Sequence, residues 1–232
     1  MGSGEYLPQM TAIEGDLIKG RAPRYVQLAT AAVLDGDDVV QRWHRLGREQ
    51  AERLDVECVV VPVTNREQAN SPEMAALIEG AGLIYLSGGH PGFLADTLRD
   101  TVVWAAIVRQ WRAGSALAGC SAGAMALTAW IPSLRHPRSG GTDGLALLPK
   151  LRVIPHFDAF AARIPDLLTR FLLPGEPEID VIGIDEDTAL VGGPYTWRVV
   201  GRQSVWRLTS AGREQFEPGS TLVTGDNRTK NV

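Results

Sequence analysis

The alternation of short apolar segments with helical segments constrains the fold of this chain more than any other feature. Apolar runs at 24–33, 56–63, 83–89, 115–120 and 151–157 predict β-strands. These runs are apolar on both faces, which is typical of a parallel sheet that helices cover on both sides. We therefore predict an α/β fold with three layers and a mostly parallel sheet in the middle.

Helix signals separate the predicted strands. An acidic pair opens the segment 37–54, whose apolar residues recur at helical spacing. Ser71 followed by Pro72 resembles a helix cap with a first-turn proline, and a further helix is predicted over 100–114. From about residue 180 the sequence becomes β-rich, with tight turns typical of hairpins at a sheet edge. We predict a single domain over 1–225 and a flexible tail over 226–232.

Composition excludes several classes of function. The chain has 232 residues, 44% of them hydrophobic and 22% charged, which is enough for a sizeable core. Its net charge of −4 leaves no basic excess for phosphates, so we predict no nucleic-acid partner. No apolar run is long enough to span a membrane. Two cysteines make no disulfide framework, which favours a cytoplasmic protein with both thiols reduced. Histidines and cysteines are too few and too widely spaced for a metal site, so we predict neither metal nor cofactor.

The pentapeptide GCSAG, residues 119–123, fits the G-x-S-x-G pattern of a nucleophile elbow. In such an elbow the serine stands on a strained strand-to-helix turn, and its neighbours must be small because backbone packs against backbone. Ser121 would be the nucleophile, and the backbone N–H of Ala122 would face the developing oxyanion. The alternative is an ordinary tight turn in which Ser121 caps the following helix.

A serine nucleophile needs a general base, and histidine is the usual one. His44 lies within a helix among arginines, which predicts a surface position, and His136 lies in a polar loop. His90 follows two glycines and suits a substrate-binding loop better than a base. His156 ends a predicted strand at the carboxyl edge of the sheet, where ligands bind in this class of fold, and is the best candidate base. The alternative is a strand-end histidine bonded to backbone.

The third member of a triad is a carboxylate that orients the imidazole. Asp158, Asp185, Glu186 and Asp187 are the candidates, and spacing alone does not choose among them. Burial of a carboxylate is costly unless it is paired, so an inward-facing acid in this apolar β segment would favour a functional role. The alternative is a surface turn with solvated acids.

A double glycine ends the predicted strand at 83–89. Its spacing with the following residues is not that of a dinucleotide-binding loop. Bare backbone at Gly88 or Gly89 could supply a second N–H for an oxyanion. The alternative is a turn that needs a positive φ.

Four motifs occur here in the order found in the peptidase E and cyanophycinase-like family of serine peptidases. In chain order they are YLSGGHPGFLADTL, GCSAGAMAL, GLALLPKLRVIPHFD and GIDEDTALV. GSGEYLP near the start is similar to the family's first strand-end loop. The resemblance covers roughly residues 2–225. It implies a class I glutamine amidotransferase-like fold, which has flavodoxin-like topology.

The resemblance also implies roles for individual residues. Ser121 would be the nucleophile, His156 the general base and Glu186 the orienting acid. Gly88, Gly89 and Ala122 would form the oxyanion hole, and His90, Asp158 and Arg163 would contact substrate. Three features depart from the family. His90 replaces the usual asparagine, Arg163 alone stands where Asp-specific members place several arginines, and the chain begins almost at its first loop.

Three functions follow from these residues and this resemblance. The first is a serine exopeptidase, similar to a dipeptidase, that hydrolyses short peptides including those that contain Asp. The second is an amidase that uses Cys120, although cysteine stands one position before the elbow tip. The third is a non-catalytic protein on the same fold. Six tryptophans and a β-rich C-terminal part leave room for a homodimer interface.

Overall fold

The computed structural model describes residues 1–133, 140–161, 173 and 178–225. The chain divides into two compact units. One unit is Glu5–Gly123, and the other combines Met1–Gly4 with Ala124–Val232. Among the described residues, no helix combines the length and apolarity that crossing a bilayer requires.

The Glu5–Gly123 unit is built on a parallel sheet with the strand order β2-β1-β3-β4. Its strands are β1 (Arg24–Leu28), β2 (Glu57–Val60), β3 (Leu83–Leu86) and β4 (Ala116–Gly119). Val26 pairs with Val59 on one side and with Ile84 on the other, which places β1 inside the sheet. Ile84 also pairs with Leu117 of β4, which places β3 inside it as well. This order is the flavodoxin-like one, and the predicted α/β fold is confirmed.

The same unit holds most of the helices that the structure describes. They are α1 (Thr11–Ile18), α2 (Asp37–Arg53), α3 (Arg66–Ala69), α4 (Pro72–Ala76), α5 (Pro91–Leu98), α6 (Val102–Arg112) and α7 (Ala122–Ala126), which runs into the second unit; short 3-10 helices occupy Pro8–Met10 and Thr30–Asp35. As predicted, the Ser71 side chain caps α4 by accepting from the Met74 N–H. Tyr25, Leu28, Leu83 and Leu86 are fully buried and form the centre of the sheet.

The second unit is mainly β, as the sequence after residue 180 predicted. A four-stranded sheet has the order β12-β11-β8-β7, a three-stranded sheet has the order β13-β10-β9, and β5 pairs with β6. The elements are β5 (Trp130–Pro132), β6 (Gly141–Asp143), β7 (Leu151–Ile154), α8 (Phe157–Ala161), β8 (Asp180–Ile184), β9 (Thr188–Gly192), β10 (Thr196–Gly201), β11 (Val205–Thr209), β12 (Gly212–Phe216) and β13 (Thr221–Val223). Strands β7 and β8 pair in parallel, and His156 and Glu186 follow their carboxyl ends.

Several predictions at the level of single elements were wrong. The first strand ends at Leu28 and gives way to a 3-10 helix, whereas a strand was predicted as far as residue 33. Strand β2 lies at the sheet edge and is only half-buried. His44 is 5% exposed, not a surface residue, because it lies on the inward face of α2. His136, Arg163 and the predicted tail at 226–232 lie outside the described residues.

Candidate active site

Ser121 stands between β4 and α7 with a φ of +50°. Few residues other than glycine adopt this left-handed conformation, and it costs roughly 1–2 kcal/mol. The turn is held from both sides: the Cys120 N–H donates to the Leu86 carbonyl at 3.0 Å, and the Gly123 N–H donates to the Cys120 carbonyl at 2.8 Å. This is the strained strand–turn–helix geometry that GCSAG predicted.

The small residues around Ser121 have a steric reason. A Cβ placed on Gly123 would overlap the backbone carbonyl oxygen of Leu86, at the end of β3. Ala122, the first residue of α7, is 2% exposed. The turn can therefore press against β3 only because residue 123 has no side chain.

Cys120, the residue before Ser121, has a thiol that is poorly suited to act as a nucleophile. Its side chain is fully buried. Burial raises the pKa of the thiol well above its usual value, and the negative charge of Glu5 raises that pKa further. A thiol that is neutral and inaccessible is a poor nucleophile, which argues against the amidase alternative.

The double glycine forms a tight turn after β3. Gly89 has a φ of +136°, and a Cβ on it would overlap the Ala31 carbonyl. The His90 N–H donates to that same carbonyl at 2.7 Å. The turn interpretation is right for Gly89, and the oxyanion role of Gly88 and Gly89 stays a prediction.

His90 has a partner that the sequence did not reveal. Its Nε2 lies 2.9 Å from Oδ1 of Asp35, the last residue of the Thr30–Asp35 helix. Both side chains are substantially exposed. The Asp35 carboxylate thus orients the His90 imidazole at the surface, and the substrate contact of His90 stays a prediction.

In the second unit, His156 is paired with Glu186. His156 follows β7 with a φ of +50°, and its Nδ1 lies 2.9 Å from Glu186 Oε1. An ionised carboxylate only accepts hydrogen bonds, so Nδ1 carries the proton and donates to Glu186. Nε2 is then the nitrogen that can accept a proton, as a general base requires.

The structure distinguishes Glu186 from the acids on either side of it. Asp185 is 5% exposed and accepts from the Ser204 N–H and the Trp206 indole N–H. Burial raises the pKa of Asp185. Asp187 lies 3.8 Å from the Arg202 guanidinium. Of this acidic run, Glu186 is the residue joined to His156.

Asp158 supports Glu186. Its Oδ1 accepts from the Glu186 backbone N–H at 3.1 Å. Gln203 donates both to Asp158 Oδ2 and to the Glu186 carbonyl, each at 3.2 Å. Asp158 and Gln203 therefore fix the backbone that presents the Glu186 carboxylate. Nothing in the sequence pattern pointed to Gln203.

The sequence also predicted no metal site and a substrate contact by Arg163. Over the described ranges, no group of three or more His, Cys, Asp or Glu side chains could hold a metal ion. Arg163, predicted to contact substrate, lies outside those ranges.

The parallel α/β unit carries a serine on a strained turn, and the second unit carries a His–Glu pair at a strand end. The fold is of the class I glutamine amidotransferase-like type. The family model of peptidase family S51 matches residues 1–193. The chain therefore belongs to peptidase family S51, a family of serine-type peptidases, and the resemblance to peptidase E and cyanophycinase is confirmed.

The curated relatives that the chain matches include two cyanophycinases. A cyanophycinase from Trichormus variabilis is 30% identical over 199 residues, covering 80% of this chain and 63% of its own length. A cyanophycinase from Synechococcus elongatus is 30% identical over 184 residues, covering 75% of this chain and 55% of its own length. The chain thus spans less than two thirds of the length of the curated relatives it matches.

Solved structures match over nearly the whole chain. The crystal structure of a peptidase from an acI-B1 Actinobacterium has a TM-score of 0.87 and 42% identity, covering 96% of this chain and 94% of that one. A Listeria monocytogenes protein of peptidase E type has a TM-score of 0.57 and 13% identity, covering 94% and 96%. The second likeness shows the fold alone.

Proposed function

We propose that this protein is a serine exopeptidase, similar to a dipeptidase, that hydrolyses short peptides including those with an N-terminal Asp. Its triad would be Ser121, His156 and Glu186. The observation that carries the proposal is the φ of +50° at Ser121, because such strain persists only where surrounding structure enforces it, and it clusters at reactive residues. The hydrogen bond between His156 and Glu186 supports the proposed role of His156 as the base.

The chemistry follows from these groups. Ser121 Oγ attacks the scissile carbonyl carbon while His156 Nε2 accepts the hydroxyl proton. The N–H groups of Ala122 and of Gly88 or Gly89 stabilise the oxyanion of the tetrahedral intermediate. The imidazolium, stabilised by Glu186, gives its proton to the leaving amine as the C–N bond breaks. Water then hydrolyses the acyl-enzyme by the same proton transfers in reverse.

The proposed substrate class rests on the similarity to cyanophycinases and on two residues, His90 and Arg163. The curated relatives are cyanophycinases. Asp as the first residue of the peptide is proposed from the family resemblance, although Arg163 alone stands where Asp-specific members place several arginines. His90, held by Asp35, replaces the family's asparagine and is proposed to contact substrate together with Arg163. The two free cysteines suit a cytoplasmic location, and a homodimer remains part of the proposal.

A dipeptide panel with Asp in the first position, α-linked and β-linked, tests this proposal. We expect the wild type to hydrolyse at least one such dipeptide and Ser121→Ala to lose activity by about 10⁴-fold or more. Ser220→Ala, a serine in the loop before β13, is the matched control and should retain full activity. Undiminished hydrolysis by Ser121→Ala would overturn the proposal. An inactive wild type across the panel would favour a non-catalytic function.

A further inference from the structure

The Glu5 carboxylate lies beside the candidate nucleophile. A Cβ placed on Gly88 would overlap Glu5 Oε1, and the same point lies 3.3 Å from Ser121 Cβ. Glu5 Oε1 and Ser121 Cβ thus both lie beside Gly88, and the carboxylate can take this position only because residue 88 has no side chain. Neither the elbow pattern nor the assigned triad gives Glu5 a role.

Neighbouring groups hold this charge in place. Glu5 is half-buried, and its carboxylate is hydrogen-bonded with the buried Cys120 thiol. The next residue, Tyr6, is fixed by its hydroxyl, which lies 2.6 Å from Ser87 Oγ. The carboxylate therefore belongs to a packed part of the Glu5–Gly123 unit.

A carboxylate at this position has an electrostatic consequence for the reaction. In the proposed mechanism, attack by Ser121 develops negative charge on a substrate oxygen next to Gly88, and a negative charge on Glu5 opposes it. A cation on the substrate would offset that repulsion. When the first peptide bond of a chain is cleaved, the free α-ammonium sits one carbon from the scissile carbonyl, within a few ångströms of the nucleophile.

We propose that Glu5 binds the free α-ammonium group of the substrate and so restricts cleavage to the first peptide bond. This inference rests on the proposed function and deepens it. Glu5 is then a specificity-determining residue: it selects the substrate's N-terminus by a charge-assisted hydrogen bond, whereas the triad performs the chemistry. Acetylation of the substrate amine removes the cation and leaves the Glu5 charge uncompensated.

The test compares aspartyl p-nitroanilide with its N-acetyl form in the wild type, Glu5→Gln and Glu5→Asp. We expect the wild type to favour the free amine in kcat/KM by about 10- to 100-fold, the range of one hydrogen bond to a charged group. Glu5→Gln should lose this preference, chiefly by losing activity on the free amine. Glu5→Asp should keep part of it. Glu57→Gln, an exposed carboxylate paired with Arg24 in the same unit, should keep all of it.

The outcomes separate this inference from the proposed function. Equal cleavage of both substrates by the wild type, or an unchanged preference in Glu5→Gln, overturns the role of Glu5 and leaves the peptidase intact. Equal losses on both substrates in Glu5→Gln mean that Glu5 only positions the elbow, which also overturns it. Cleavage of neither substrate, with no activity on the dipeptide panel, means that the proposed function itself has failed. Where Glu5→Gln does not fold, a preference in Glu5→Asp as large as that of the wild type decides against the inference.

Discussion

The two units hold their candidate catalytic residues by different means. In the Glu5–Gly123 unit, backbone packing sets the position of Ser121: Cys120 is fully buried, and Gly123 presses on the Leu86 carbonyl. In the second unit, hydrogen bonds position His156 and Glu186, whose side chains are 42% and 45% exposed. The first arrangement depends on residue size and the second on charge and hydrogen-bonding pattern.

This difference teaches which substitutions each half tolerates. Exposed side chains can change without opening cavities or creating overlaps, so changes at the His–Glu pair should alter chemistry with little effect on folding. Changes at the elbow alter packing of one strand end against another, so they should alter folding as well as chemistry.

The largest expected effect is on chemistry in the second unit. Glu186→Gln keeps the size of the side chain but places an N–H where His156 Nδ1 needs an acceptor, which favours the wrong tautomer. We expect kcat to fall by about 10³- to 10⁴-fold, with a change in the free energy of unfolding of less than about 0.5 kcal/mol. Steady-state kinetics and urea denaturation measure the two quantities.

Glu178→Gln is the matched control for that prediction. Glu178 is an exposed carboxylate of the same unit, 3.2 Å from Lys150, and its loss should leave kcat unchanged. A fall in kcat of less than tenfold for Glu186→Gln would mean that the pair with His156 is structural.

The next effect is on stability in the Glu5–Gly123 unit. Gly123→Ala places a methyl group against the Leu86 carbonyl, which cannot move without disturbing β3. We expect a loss of about 2–3 kcal/mol in the free energy of unfolding, and a large loss of activity because the elbow shifts.

Gly15→Ala is the matched control for Gly123→Ala, because Gly15 also lies in a helix. A Cβ there would meet only the flexible Leu54 side chain at 3.4 Å. This substitution should be neutral or stabilise the protein by up to about 1 kcal/mol through higher helix propensity. Similar effects of the two substitutions on urea denaturation would refute the packing argument.

The smallest effect concerns pH and a buried acid of the Glu5–Gly123 unit. Glu14 is fully buried, accepts from the Tyr25 hydroxyl at 2.8 Å, and has a pKa raised by burial from 4.5 to about 7. The folded state therefore holds a proton more tightly than the unfolded state. Its stabilising contribution is present below pH 4.5, decreases as the pH rises to 7, and is gone above it, a change of about 3 kcal/mol at most.

Glu14→Gln should remove this pH dependence. We expect the variant to exceed the wild type in stability at pH 8 by about 1–3 kcal/mol and to match it near pH 4.5. Urea denaturation at both pH values measures this, with Glu57→Gln as an exposed control. A wild type whose stability rises between pH 4.5 and 8 relative to Glu14→Gln would contradict the assignment.

The sequence predicted what depends on local pattern. The GCSAG turn could be predicted because strand, small residues and helix are contiguous in the chain. The residue pattern alone could not choose Glu186 over Asp185 and Asp187, because its partner His156 is 30 positions away and only the β7–β8 pairing brings them together. Only the family resemblance singled out Glu186.

The contacts that sequence reasoning missed are of the same long-range kind. Gln203 reaches Asp158 across 45 positions, and His90 reaches Asp35 across 55. The prediction for His44 was wrong for another reason. Its arginine neighbours suggested a surface position, whereas His44 lies on the inward face of α2 and is buried.

Covalent labelling tests the central claim most directly. Intact protein treated with a fluorophosphonate and mapped by peptide mass spectrometry should carry one adduct on Ser121. The adduct should persist in Cys120→Ser and be slowed by at least about 10²-fold when His156 is replaced by alanine. No adduct in the folded wild type, or an adduct on Cys120 instead, would contradict the assignment of Ser121 as the nucleophile.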